Sequence, residues 1–343
     1  MPVRRRGPDV ELRELDLFSR DDLPLLQAWA AARAASETHD LGDHASPYTV
    51  EELRGLTDPA TKSRTPLLAV VGGHAAGAGM LALPHKDNVH VAFGVVHTDP
   101  AWRRRGVGSA VLAELERRAV AAGRTSMLLE SASLTERDPA ASFAVTHGYD
   151  LALTSLESEL ALVALTPEQA TEESAYAIEV AAGDVPESWL EDHVVLLTRM
   201  STDTPQGNLD LQEESWDVPR VRQWSHSQQD AGRGRVEAVA RDRASGRLVG
   251  YTFITVPPHL GGVAIQEDTL VIREHRGHGL GVLLKRACAR ALADGWPQVH
   301  TIRTWNAADN AHMLAVNRAL GFRQVAFERE WQKRLARPVA LVT

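Results

Sequence analysis

The chain has 343 residues, 44% of them hydrophobic and 24% charged, which predicts two globular domains rather than one. The net charge of −8 argues against a nucleic-acid-binding protein, because phosphate binding needs a concentrated basic face, and the single cysteine, Cys288, excludes an intramolecular disulfide and a multi-cysteine zinc site. No apolar run reaches about 18 residues, and no apolar stretch follows the basic residues 4–6, so we expect a cytoplasmic protein without membrane insertion.

The first half reads, in chain order, as a hairpin followed by alternating strands and helices. Apolar runs on either side of Gly72 and Gly73 indicate two strands joined by a tight turn. Val107, Val111 and Leu115 share one face of a helix at i, i+4 spacing. The predicted strands cover residues 67–71, 78–83, 89–96 and 126–130, and the predicted helices begin at 107 and cover 139–146.

The second half repeats this order of elements. Its predicted strands cover residues 236–241, 248–256, 264–272 and 299–304, and its predicted helices begin at 280 and cover 307–320. Residues 164–174 are polar, contain Pro167 and lack an apolar stripe, so we expect a linker there. The prediction is an amino-terminal domain over 1–163 and a carboxy-terminal domain over 175–343.

One motif, R-x-x-G-x-G, occurs once in each half at the end of a predicted strand. Its residues are Arg103, Gly106 and Gly108 in the first half and Arg276, Gly279 and Gly281 in the second, always 173 positions apart. The same offset relates Gly148-Tyr149 to Gly321-Phe322. A long, gap-free repeat indicates duplication of one domain. The fold class that follows is a mixed α/β (α+β) sheet covered by helices, present in two tandem copies.

The glycine-rich turn is suited to bind a phosphate group. A strand that runs through this turn into a helix gathers free N–H groups and the positive end of the helix dipole around one space. The chain lacks the P-loop motif, and the spacing of Gly277, Gly279 and Gly281 does not fit the G-x-G-x-x-G dinucleotide fingerprint.

Two stretches of the second half carry a family resemblance: V-x-R-E-H-R-G-H-G-L-G over 271–281 and T-W-N-A-A-D-N-A-H-M-L-A-V-N-R-A-L-G-F over 304–322. This part resembles the GNAT acyltransferase superfamily, and the whole resembles tandem members, with a distant similarity to mycothiol synthase-like proteins. The resemblance implies acetyl-CoA as co-substrate, its pyrophosphate on the backbone amides of residues 276–281. These are Arg276, Gly277, His278, Gly279, Leu280 and Gly281, with Arg103, Gly106 and Gly108 as the corresponding cofactor-binding residues of the first half.

The same resemblance assigns further contacts to the acyl donor. Leu270, Val271 and Ile272 would pair with the pantetheine arm, and Asn306 and Asn310 would contact the pantetheine or phosphate region. An alternative role for Asn306 is the N-cap of a helix that begins at Ala307.

Acetylation of an amine by direct attack on the thioester needs a general base, because an alkylamine is mostly protonated at neutral pH. The strand before the turn offers Glu267 and Asp268 as the candidate catalytic residues. Neighbours on a strand point to opposite sides, so we expect only one of them to face the cleft. Many family members place a tyrosine, as general acid, four residues before the Gly-Phe glycine. That position is Asn317 here and Ala144 in the first half.

The strand before the first-half motif has no carboxylate, so we expect the carboxy-terminal domain to be catalytic and the amino-terminal domain to be degenerate. The predicted function is an N-acetyltransferase for a small-molecule primary amine, with specificity set by regions 187–200 and 216–232. The alternatives are a mycothiol synthase-like acetyltransferase and a non-catalytic acyl-CoA-binding sensor or assembly protein. We expect no metal, no nucleic-acid or membrane partner, and a monomer or homodimer.

Overall fold

The computed structural model describes residues 9–162 and 174–336 of the chain. These residues form twelve strands and eight α-helices, which confirms the predicted mixed α/β class. The predicted linker, 164–174, lies outside the described residues except for Ser174. In chain order the elements are β1 (Glu11–Glu14), α1 (Leu23–Leu41), α2 (Val50–Gly55), β2 (Lys62–Val71), β3 (His74–Pro84), β4 (Val91–Thr98), α3 (Val107–Ala121), β5 (Ser126–Ser133), α4 (Ala141–Thr146), β6 (Asp150–Ala161), β7 (Tyr176–Ala182), α5 (Leu190–Asp203), α6 (Val218–Asp230), β8 (Gly234–Asp242), β9 (Leu248–Val256), β10 (Val263–Val271), α7 (Leu280–Gly295), β11 (Thr301–Ala307), α8 (Ala311–Leu320) and β12 (Arg323–Arg334).

The chain divides into two compact units that are not continuous in sequence. Within the described residues, unit 1 contains 9–153, 208–211 and 327–336, and unit 2 contains 154–162, 174–207 and 212–326. Most of β12 therefore belongs to unit 1, and most of β6 belongs to unit 2. Each unit takes one strand from the opposite half of the sequence, so the sequence halves and the compact units differ at these two strands and at residues 208–211.

The two units have the same sheet topology. In unit 1, β1, β2, β3 and β4 form an antiparallel series, β4 pairs with β5 in parallel, and β12 pairs antiparallel with β5. In unit 2, β7, β8, β9 and β10 form the antiparallel series, β10 pairs with β11 in parallel, and β6 pairs antiparallel with β11.

Helices cover both faces of each sheet. In unit 1, one face packs against α3 and the other against α1. In unit 2, α7 and α8 cover one face, and α5 and α6 cover the other. β9 is buried along its whole length for this reason. Burial of one leucine, such as Leu284 of α7, contributes about 1.5–3 kcal/mol.

The predicted helix faces and the role of the cysteine agree with this packing. Val107, Val111 and Leu115 of α3 are buried together, and Cys288 lies on the buried face of α7. Burial raises the pKa of the Cys288 thiol, which favours the inert, neutral form. In the part of the chain that the structure describes, no helix is long and apolar enough to cross a membrane.

Candidate active site

A left-handed turn leads from β10 into α7. Gly277 and Gly279 have φ angles of 85° and 71°, and Gly279 is the N-cap of α7 without a side-chain cap from the described residues. A Cβ at either glycine would meet no atom within 4 Å, so glycine is needed here for its dihedral angle and not for space. The first amides of α7 are thus left for an anion, as the motif predicts.

Unit 1 builds the same turn at a conformational cost. Gly106, with φ of 89°, is the N-cap of α3. The position that corresponds to Gly277 is Arg104, which has a φ of 62°. An L-residue in this region costs roughly 1–2 kcal/mol, yet the turn is kept.

The motif arginines make matching contacts in the two units. In unit 2, Arg276 Nε donates to the main-chain oxygen of Val271 at 2.9 Å, and Arg276 Nη2 lies 2.8 Å from Asp203 Oδ2. In unit 1, Arg103 bonds to the main-chain oxygen of the last residue of β4 at 3.2 Å and to Asp40 Oδ1 at 2.7 Å. Both arginine side chains therefore fasten the turn to the strand and to a neighbouring helix.

A cavity of about 700 Å³ lies at the turn of unit 1. Its walls are the turn itself, the first residues of α3, residues of α4, the end of β4 and residues of α1. The lining includes Arg104, Gly106, Gly108, Ser109, Phe143 and His147. The predicted phosphate-binding residues of the first half therefore surround a space that a ligand can enter.

The parallel strands diverge beside the turn in both units. In unit 2, the β10–β11 ladder ends where Gln266 faces Thr304, although β10 continues to pair with β9. In unit 1, the β4–β5 ladder ends where Gly94 faces Leu129. The edge of residues 270–272 that faces away from β9 is therefore released from the ladder. This is the stretch to which the resemblance assigns the pantetheine arm.

A β-bulge at the same point carries the two candidate bases. Glu267 and Asp268 together stand opposite the single residue Phe253 of β9, because the register shifts between Gln266 and Thr269. Thr255 Oγ1 donates to Glu267 Oε1 at 2.7 Å, and Tyr251 Oη donates to Asp268 Oδ2 at 3.0 Å. The two donors lie four residues apart on β9 and share a face. The expectation that the carboxyls point to opposite sides is therefore wrong, since the bulge interrupts the alternation.

Both carboxyls are held toward their neutral forms. Burial and the adjacent Glu267 raise the pKa of Asp268 to about 6, against the lowering effect of the Tyr251 hydroxyl. Burial also raises the pKa of Glu267, and the Thr255 hydrogen bond and the nearby Arg233 oppose this shift. A carboxyl with a pKa near 6 is suited to general-base catalysis close to neutral pH.

A second, fully buried ionic group lies on the same face of the sheet. His193 Nε2 is 2.8 Å from Glu237 Oε1, and Arg235 contacts the other oxygen of Glu237. Burial alone would raise the pKa of Glu237, but Arg235 and His193 lower it overall, so the carboxyl is charged. The His193 ring packs edge-on against Tyr251, with 5.3 Å between centroids, so this group supports the phenol that contacts Asp268.

Comparisons with known proteins agree with this geometry. The sequence profile described as the Acetyltransferase (GNAT) family matches residues 28–149 and 202–322. The chain belongs to the GNAT family. It is an acyltransferase, with one copy of the family domain in each half.

Solved structures of similar proteins have the same fold. A tandem GNAT protein from the clavulanic acid biosynthesis pathway is 25% identical, with a TM-score of 0.79 over 96% of this chain and 99% of that one. A GCN5-related N-acetyltransferase from Sphaerobacter thermophilus is 16% identical, with a TM-score of 0.67 over 98% and 99% of the two chains. Among curated protein sequences, none matches the chain.

The asparagines of the second GNAT motif lie in different elements: Asn306 and Asn310 are half-buried, and Asn317 is buried. The side chain of Asn310 caps α8 by accepting from the Met313 N–H at 3.1 Å, whereas Asn306 lies within β11. The alternative role of Asn306 as the N-cap of a helix from Ala307 is wrong, because β11 runs on to Ala307 and α8 begins at Ala311. Asn317, where many family members have tyrosine, is buried in α8.

The structure also joins two carboxyls that sequence reasoning missed. Glu130, the first residue of β5 beyond the β4–β5 ladder, faces Glu330 of β12 directly across the antiparallel ladder. Burial and the neighbouring Glu130 raise the pKa of Glu330 to about 7. No local pattern signals this pair, because Glu330 reaches unit 1 on β12, far along the chain from Glu130.

Proposed function

We propose that the chain transfers an acetyl group from acetyl-CoA to a primary amine of a small molecule, with the chemistry in the carboxy-terminal domain. The observation that supports this most directly is the bulge of β10. It presents Glu267 and Asp268 on one face, at the point where β10 and β11 separate and beside the glycine-rich turn.

The acidic character of this face suits a cationic acceptor. Asp268 lies in the field of Glu267, Glu214 and Glu237, all of which raise its pKa. An ammonium group placed there would lie near Asp268 and Glu267, and either of these carboxyls, when ionised, can take its proton. The helices that cover this face, α5 and α6, lie in the regions that we expect to select the acceptor.

The reaction is a direct displacement. The deprotonated amine nitrogen attacks the thioester carbonyl carbon, the new C–N bond forms, and the C–S bond breaks. The ammonium first gives one proton to Asp268 or Glu267, and after attack the nitrogen loses a second proton while the departing thiolate of coenzyme A takes one up. Asn317 cannot supply that proton as a tyrosine would, which favours water as the acid.

Unit 1 binds a second acyl donor in this proposal without transferring its acyl group. Its intact turn and the adjoining cavity support binding, whereas β4 carries no carboxylate to match Glu267 or Asp268.

A thiol-release assay with acetyl-CoA across a panel of amines tests the proposal. The panel contains polyamines, aminoglycosides, a peptide amine and a cysteine-derived amine, the last for the mycothiol synthase-like alternative. We expect release that depends on one class of amine. Tight binding of coenzyme A without release for any amine would contradict the proposal.

A further inference from the structure

A chain of hydrogen bonds, all donated in the same direction, runs from the core of unit 2 to the point where β10 and β11 separate. Lys285 Nζ donates to Asn317 Oδ1 at 2.9 Å, and Asn317 Nδ2 donates to Asn306 Oδ1 at 2.5 Å. The Lys285 ammonium can only donate hydrogen bonds, so it fixes which way the side-chain amide of Asn317 points. Asn317 in turn fixes the orientation of the Asn306 amide. Asn306 must then turn its own Nδ2 away from Asn317, and the described part of the chain offers that group no hydrogen-bond partner.

Asn306 lies where an acyl donor would pass. It shares a face of β11 with Thr304, the last residue of the parallel ladder, and it is the next residue on that face beyond the point where the strands separate. Its side chain is half-buried, unlike those of Lys285 and Asn317. An amide N–H₂ at this point matches the carbonyl oxygens of a pantetheine arm or a thioester.

The equivalent helix packing in unit 1 is made without a lysine. Lys285 and Asn317 are 3% and 2% exposed. The positions that correspond to them in unit 1, by the 173-residue offset, are Leu112 and Ala144, and both belong to the core there. Two apolar residues thus serve the same helix packing, whereas burial of an ammonium is costly. Burial lowers the pKa of Lys285 to about 7.

We propose that Lys285 is a positioning residue that acts through Asn317 to hold Asn306 as a hydrogen-bond donor toward the arm of the acyl donor. This rests on the proposed function, since it concerns the acetyl-CoA site of unit 2. The charge on Lys285 is kept in the core because it sets the orientation of an amide that touches the ligand.

Two unit 2 variants separate this role from a structural one. Asn317→Asp keeps an acceptor for Lys285 but cannot donate a hydrogen bond to Asn306. The Asn306 amide must then reverse, so that its Oδ1 instead of its Nδ2 faces the acyl donor. The double variant Lys285→Leu/Asn317→Ala reproduces the core of unit 1 and leaves Asn306 free to turn. Arg290→Leu removes a positive charge from an exposed position of the same helix and is the matched control.

The readout is KM for acetyl-CoA and kcat, with thermal unfolding to confirm that each variant is folded. We expect KM to rise about tenfold for Asn317→Asp, the equivalent of one lost hydrogen bond. The rise should be smaller for the double variant and absent for Arg290→Leu. A purely structural role predicts the reverse order, with the double variant the more affected, and that order or an unchanged KM in Asn317→Asp would overturn the proposal.

Failure of the proposed function is distinguishable from failure of this inference. If the wild type releases no thiol with any amine, the variants are compared by their dissociation constants for acetyl-CoA, measured by calorimetry at pH 6, where Lys285 is protonated. The expected ranking of the variants is the same as for KM. All the substitutions lie in unit 2, so the differences between variants report that site. Equal dissociation constants for wild type and Asn317→Asp would overturn the inference there as well.

Discussion

Tyr251 donates a 3.0 Å hydrogen bond to Asp268, so a fully buried phenol contacts the candidate base directly. Burial and the Asp268 carboxylate raise the pKa of Tyr251 well above its usual value, so the phenol keeps its proton and remains a donor. The hydrogen bond favours the charged form of Asp268 and thereby limits the rise in its pKa.

This contact predicts the pH dependence of the reaction. A general base acts only when deprotonated, so we expect kcat/KM for the amine to increase as pH rises through about 6, the pKa of Asp268. Tyr251→Phe removes a hydrogen bond that lowers this pKa, so the inflection should move to higher pH. The measurement is a pH–rate profile of both proteins with the same amine. An inflection that stays in place in Tyr251→Phe would exclude Asp268 as the group observed.

The arginine contacts predict an asymmetric pair of variants. Asp203→Asn weakens the contact that fastens Arg276 and the turn of unit 2, and we expect KM for acetyl-CoA to rise roughly two- to tenfold. Asp40→Asn makes the same change at Arg103 of unit 1 and should leave that KM unchanged, because the proposed chemistry lies in unit 2. The opposite result, a higher KM in Asp40→Asn alone, would move the chemistry to unit 1.

The turn conformations predict opposite effects of two substitutions on stability. Arg104→Gly removes the strain of a non-glycine residue in a left-handed backbone conformation. Because glycine also costs more backbone entropy on folding, we expect a net rise of about 0.5–1 kcal/mol in the free energy of unfolding. Gly277→Ala places a Cβ on a residue with a φ of 85° and should lower the free energy of unfolding by about 1 kcal/mol. Denaturant unfolding of both variants measures these changes. Equal effects of the same sign would contradict the shared turn geometry.

Much of the fold could be predicted because its signals are local. The spacing of Val107, Val111 and Leu115 fixes the buried face of α3 within one helix, and the motif glycines identify the turn through dihedral angles that few other residues adopt. The family assignment followed from the same motifs. These features depend on a residue and its near neighbours in sequence.

The errors arose where distant strands decide the geometry. The bulge at Glu267 and Asp268 depends on the register between β10 and β9, which residue alternation cannot supply. The pairing of Glu130 with Glu330 depends on β12 joining the sheet of unit 1. The predicted start of α8 at Ala307 is too early, because asparagine is a favoured N-cap at either Asn306 or Asn310 and Asn306 belongs to β11.

The Glu130 and Glu330 pair predicts a stability that depends on pH. The pKa of Glu330 is raised to about 7, so between its unfolded value and about 7 the native state binds more protons than the unfolded state. Stability should therefore fall as pH rises across this range. Glu330→Gln removes the penalty, and we expect a gain of roughly 1–3 kcal/mol above pH 7 and little change below pH 4. Urea unfolding at pH 4 and pH 8 tests this, and a gain of equal size at both values would contradict it.

The most direct test of the assigned chemistry is thiol release by the Glu267→Gln/Asp268→Asn double variant with the amine that the wild type prefers. Both substitutions keep the size of the side chain and remove the ability to accept a proton. We expect kcat to fall by roughly 10²–10⁴-fold, the range typical for loss of a general base, with the affinity for coenzyme A unchanged. Full turnover in the double variant would contradict the assignment of the reaction to the bulge of β10.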